Sequence, residues 1–74
     1  MLNERIRQLR EARGMTQVEL AAELCVTKQA VSNWENNNIQ PSVETVVALA
    51  DFFGVSVDDM LGENAADKVT GNRA

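Results

Sequence analysis

Between Thr16 and Glu35 the chain reads TQVELAAELCVTKQAVSNWE, and two helix starts lie so close together there that few folds can hold them. Thr16 and Glu19 make a capping box, in which the hydroxyl accepts from a first-turn amide and the carboxylate reaches back to the cap's own amide. Met15 before the cap and Leu20 inside the helix form a hydrophobic staple that sets the entry angle. Val26, Thr27 and Val31 repeat the pattern, so Thr27 starts a second helix and only Cys25 and Val26 separate it from the first. Two short helices joined this tightly must cross rather than lie side by side.

The second of these helices divides into two faces. At about 100° per residue, Lys28, Gln29, Ser32, Asn33 and Asn36 share one arc, while Ala30, Val31 and Trp34 fall opposite. Gln and Asn pair bidentately with adenine N6 and N7, Lys reaches guanine or a phosphate, and Ser serves either partner. A solvated helix face usually carries more Glu and Lys, so uncharged amides and a hydroxyl point to a surface that meets something specific. The alternative is the polar outer face of a small helical bundle. The paired helices read as a helix-turn-helix, whose second helix enters the DNA major groove.

Charge sharpens this expectation. The net charge is −4 over 74 residues. Residues 1–38 balance Arg5, Arg7, Arg10, Arg13 and Lys28 against Glu4, Glu11, Glu19, Glu23 and Glu35. The acidity therefore belongs to the second half, where Lys68 and Arg73 face Glu44, Asp51, Asp58, Asp59, Glu63 and Asp67. A neutral reading half lacks the basic stripe of a strong non-specific binder. Phosphates are then expected to be held by helix N-terminal amides and by Gln17, Asn36 and Asn38, with modest affinity per subunit and a need for two subunits.

Other classes find little support. No apolar stretch approaches the roughly 20 residues of a bilayer span, and MLNERIRQLR is charged rather than signal-like, so a cytoplasmic, nucleoid-associated location is expected. Cys25 has no partner for an internal disulfide, and without His no zinc set can be assembled, so neither metal nor cofactor is expected. Cys25 reads as a turn residue rather than a reactive thiol. With no His, no Gly-rich phosphate loop and no nucleophile beside a base, the chain does not read as an enzyme. Asp58 and Asp59 are acids favoured by a helix start.

The flanking sequence supplies three more helices. Asn3 is expected to cap the first, which runs to about Arg13 with Leu2, Ile6 and Leu9 inward and Gly14 closing it. The arginines at 5, 7, 10 and 13 spread over several faces, the pattern of a solvated helix. NNNIQPS is a loop, with Asn37 or Asn38 suited to positive φ and Pro41 preceding the cap Ser42. Val43, Val46, Val47, Ala50 and Phe53 then keep helical spacing to Gly54. A short last helix begins at Ser56, with Asp59 as capping acid and Val55 and Met60 as staple, and ends near Leu61 and Gly62. Residues 1–62 read as one domain and residues 63–74 as a polar tail expected to fray. One core of this size gives little net stability, so close packing or dimerisation must compensate.

The segments LREARGMTQVELAAEL, VTKQAVSNWE and PSVETVVALADFFGVSVDDML resemble the Cro and phage-repressor type of helix-turn-helix domain, also called the xenobiotic-response-element family. The likeness covers about residues 2–62. It implies an all-α, compact five-helix, lambda-repressor-like fold with helices 2 and 3 forming the helix-turn-helix. It further implies that Gln17 sits on a phosphate and braces the reading helix, and that Thr27, Lys28, Gln29, Ser32 and Asn33 face the groove. Gln29 and Asn33 are its foremost base-contact candidates. Asn36 and Asn38 match a loop laid against the DNA backbone, and Arg10 and Glu35 match a partly buried structural ion pair. Trp34 matches a core position, and Ala21 a site kept small for helix crossing. Two departures stand out: Cys25 holds a turn position where Gly or Asn is usual, and Asn37 stands where Gly is common.

The resulting expectation is a transcriptional regulator, a repressor, binding a palindromic double-stranded DNA operator as a homodimer through helix 27–36, with no small-molecule effector pocket in so short a chain. Helix 5 and the loop before it, with Val57, Met60 and Leu61, are the expected dimer surface. The alternative is a protein-interaction or antitoxin-like module of the same fold, which the acidic second half would suit.

Overall fold

The computed structural model describes residues 2–61, and among these the regular structure is entirely helical. The expected frayed tail, residues 63–74, and the helix end at Gly62 lie outside the described residues. Five helices follow one another: α1 (Leu2–Ala12), α2 (Gln17–Leu24), α3 (Lys28–Glu35), α4 (Val43–Phe53) and α5 (Val57–Met60). None is long and apolar enough to cross a membrane.

Local chemistry sets nearly every boundary. Thr16, Thr27, Ser42 and Ser56 each hold an extended backbone and accept a hydrogen bond from the amide three residues on, which removes one orphan donor per helix start. Only Thr16 completes the reciprocal box: its amide donates to Glu19 Oε1 at 2.9 Å, and the Glu19 amide donates to Thr16 Oγ1 at 3.1 Å. The box expected at Ser56 is not closed by Asp59, whose carboxylate instead takes the Arg5 guanidinium at 2.7 Å.

Helix ends share one device. Gly14, Cys25, Asn37 and Gly54 all adopt positive φ, between 60° and 72°. In each case the following amide reaches back five residues: Met15 to Arg10, Val26 to Ala21, Asn38 to Asn33 and Val55 to Ala50, at 2.9–3.1 Å. Carbonyls left over at each helix end are satisfied this way. Two of the four positions lack glycine, so Cys25 and Asn37 carry the cost of a left-handed backbone with a side chain in place.

The core draws on all five helices: Ile6, Leu20, Ala21, Val31, Trp34, Val46, Leu49, Ala50, Phe53 and Met60 are buried together, with Leu2, Leu9, Met15, Leu24, Val26 and Val55 packed at its edge. Trp34 is therefore a packing residue, and Ala21 is buried in the same core. Three expectations fail. Val43 and Val47 face outward, 80% and 48% exposed, and Leu49 takes the buried place instead. Met60 is fully buried, so of the expected dimer-surface residues only Val57 and Leu61 offer exposed apolar area. Asn3 does not cap α1, which already includes Leu2.

Candidate nucleic-acid interface

The display of α3 depends on how its inner side is held. Glu35, its last residue, has a side chain with no exposed surface. A lone buried carboxylate would be costly, yet this one is surrounded by donors. Arg10 Nε donates to Glu35 Oε2 at 2.7 Å and Arg10 Nη2 to Oε1 at 3.0 Å, a two-pronged pairing from α1. Gln17 Nε2, from the first turn of α2, donates to Oε1 at 3.1 Å. Arg7 Nε approaches Oε1 to 3.6 Å. Burial alone would push the Glu35 carboxyl up, but the hydrogen bonds from Arg10 and Gln17 and the charges of Arg10 and Arg7 prevail and hold it below the usual glutamate range. The same hydrogen bond holds Arg10 more firmly protonated, against the opposing effect of its partial burial.

This cluster ties α1 and α2 to one end of α3. Arg10 Nη1 also donates to the Met15 carbonyl at 2.7 Å, which fixes the α1–α2 turn, and Asn3 Nδ2 donates to the Glu35 carbonyl at 3.4 Å. Asn3 thus braces α3 from α1 rather than starting α1.

Outward, α3 and its caps carry the polar residues that the sequence assigns to one arc. Lys28 and Gln29 are exposed, Ser32 and Asn33 half-buried, and Asn36 exposed. Gln29 Nε2 donates to Asn33 Oδ1 at 3.1 Å, and Asn36 Nδ2 to Ser32 Oγ at 3.3 Å. Thr27 spends its hydroxyl oxygen on the Ala30 amide at 3.1 Å, which leaves the hydroxyl hydrogen to donate. The loop is drawn in by the Asn33 carbonyl, which accepts from the Asn38 amide at 2.9 Å and from Ile39 at 3.4 Å. Gln29, Asn33 and Asn38 are thus linked to one another, and Ser32 to Asn36. With Thr27 and Lys28 they make up a polar strip along α3 and its ends, while Gln17 joins the C-terminal end of α3 through Glu35. The amide of Gln17 keeps one N–H and its carbonyl oxygen beyond the bond to Glu35.

The arginines of α1, and Arg13 just beyond its end, are not merely solvated. Arg5 pairs with Asp59 of α5, and Arg10 and Arg7 converge on Glu35. Arg13 donates from Nη2 to the Phe52 carbonyl at 3.0 Å and lies 5.0 Å and 5.4 Å from the Phe52 and Phe53 ring centroids. Each stitches α1 to a distant element, and that leaves Lys28 as the cation of the strip.

A family model for the helix-turn-helix matches residues 6–60, the span from the core of α1 to the end of α5. The chain belongs to the Cro/C1-type helix-turn-helix family. Among its curated relatives, the HTH-type transcriptional activator BcrR of Enterococcus faecalis is 37% identical over 59 residues, 80% of this chain and 29% of that protein. The HTH-type transcriptional regulator ImmR of Bacillus subtilis is 31% identical over 67 residues, 90% of this chain and 53% of the relative. The immunity repressor protein of Bacillus phage phi105 is 30% identical over 67 residues, 90% of this chain and 46% of that repressor. The chain thus spans between about a third and a half of the length of these relatives.

Proposed function

We propose that the chain is a sequence-specific DNA-binding transcriptional regulator that inserts α3 into the major groove. The observation that carries this reading is the amide-rich strip from Thr27 to Asn38, with Lys28 as its cation, on a helix whose opposite side is locked by Trp34, Val31 and the Glu35 cluster. Gln29 and Asn33 carry the sequence preference, Lys28, Ser32 and Thr27 flank them, and Gln17, Asn36 and Asn38 contact phosphates. Gln17 then has two duties, since the bond to Glu35 sets its amide before DNA arrives.

The protein acts as a homodimer on a palindromic operator, with half-sites about 34 Å apart. Few free cations face the DNA, so a single subunit gains little from counterion release and two are required. Occupancy of such an operator represses the adjoining promoter, in keeping with the repressor name of the phage phi105 relative.

Selection of bound sequences from a random duplex pool, repeated at several salt concentrations, tests the reading. The expected result is a palindromic consensus whose binding falls with salt less steeply than for a protein making six or more cationic phosphate contacts. A pool that yields no consensus even at low salt overturns it in favour of an interaction module. A promoter bearing the consensus should lose reporter output when the protein is expressed.

A further inference from the structure

We infer that Gln29 and Asn33 work as one reading unit rather than as two independent readers: Asn33 clamps the Gln29 amide, and Gln29 meets the base. The inference rests on the DNA-reading function proposed above. Gln29 is exposed at the outer edge of α3, whereas Asn33 is half-buried and its position is fixed on both sides. The Asn33 backbone carbonyl anchors the loop through Asn38 and Ile39, and its side-chain Oδ1 accepts from Gln29 Nε2 at 3.1 Å.

The amide inventory supports this division of labour. A glutamine amide has two N–H donors and one oxygen with two lone pairs. Bidentate reading of adenine uses the oxygen, as acceptor from N6, and the N–H on the same edge, as donor to N7. The second N–H, trans to the oxygen, is superfluous for that purpose. Giving it to Asn33 leaves the reading edge open and removes rotations that an exposed glutamine would otherwise sample, so less freedom is lost on binding. With Asn33 Oδ1 as the acceptor it also favours one polarity, because a Gln29 oxygen turned toward it would set two acceptors against each other. The Asn33 clamp thus favours adenine contact by Gln29 and penalises the flipped amide.

An independent-reader arrangement makes a different forecast, and the two are separated by base preference. Sequence selection is carried out with the wild type, Gln29→Ala, Asn33→Ala, Asn33→Asp and the double alanine variant, each checked for helical content. Gln29→Ala should flatten one base position in each half-site by about 5- to 150-fold in discrimination. Asn33→Ala should flatten the same position, and the double variant should be no flatter there than Gln29→Ala alone. Asn33→Asp keeps the accepting oxygen, so it should retain that preference while its added charge weakens binding to all sequences alike.

If Asn33→Ala erases a different position, or if Asn33→Asp loses the Gln29 preference as fully as alanine does, the clamp is overturned and the two residues read separately. A wild type that selects no consensus overturns the DNA-reading function itself, a result distinguishable from either.

Discussion

On its inner side α3 ends in a carboxylate with no exposed surface, grasped by Arg10 and Gln17 and approached by Arg7; on its outer side the polar groups carry little charge and bond to one another. The strong, charge-assisted bonds are thus spent inside, where low solvent exposure makes them effective and where they fix the angle of a helix only eight residues long. The weaker, uncharged bonds lie outside, between side chains that keep contact with solvent. Under the proposed function, orientation and recognition are divided between two faces of one short element, and substitutions on each face test whether one can be perturbed without the other.

The largest effect is expected from Arg10→Met, which leaves Glu35 buried without its main partner and should cost about 3–5 kcal/mol in urea unfolding. In so small a domain that removes most of the stability. A loss below about 1 kcal/mol would show that the inner side is not the anchor. Acid titrates the same interaction. Because Glu35 is held below its usual range when folded, its contribution is present at neutral pH and disappears as pH falls through that range and then through the lower folded value. Urea midpoints measured from pH 7 to pH 3 should fall with pH in the wild type. In Arg10→Met they should fall less, because burial then pushes the carboxyl back up.

Gln17→Ala probes the residue that touches both sides. It should cost about 1.5 kcal/mol of stability, the low end for a bond to a charged group, and weaken DNA binding evenly across sequences. A selective loss at one base would move Gln17 to the reading face. Gln29→Ala should change stability by no more than about 0.5 kcal/mol while erasing one base preference, which keeps the outer side energetically apart from the inner. The smallest effect is expected from Arg5→Ala. Its bond to Asp59 is as short as the Arg10–Glu35 bond, 2.7 Å in both, but Arg5 and Asp59 keep 29% and 45% of their side-chain surface exposed. Unfolding should register less than about 1 kcal/mol, so burial rather than distance would be what separates the two pairs.

What could be read from the sequence was local. The caps at Thr16, Thr27, Ser42 and Ser56 and the left-handed stop at Gly14 rest on signals three to five residues long and are found where those signals lie, whereas Asn37 had Asn38 as an alternative and the left-handed backbone at Cys25 had no local signal of its own. The face of α4 was harder. Its valines spread apolar character around most of the helix, so periodicity alone could not choose the buried edge, which runs through Leu49 rather than Val43 and Val47. Bracing of α3 was legible only in part. Arg10 and Glu35 came from the family resemblance, while Asn3, Arg5 and Arg13 find partners 32 to 54 residues away. No periodicity carries such a signal, and the α1 arginines looked like a solvent coat for that reason. In the reading strip, side-chain types and spacing announced the face, but the pairing of Gln29 with Asn33 emerged only from the geometry.

The engagement within the molecule of the three α1 arginines and of Arg13 just beyond them has a kinetic side. Cations free to hop between phosphates let a protein dwell on and slide along unrelated duplex. With Arg5, Arg7, Arg10 and Arg13 drawn toward carboxylates, a carbonyl and aromatic rings, an operator-binding chain of this kind would scan little and release quickly. Its search would proceed mainly through bulk solution, with association near the unsteered 10⁵–10⁶ M⁻¹s⁻¹ range and little change on adding salt. Such a protein trades speed of arrival for a small burden of decoy sites.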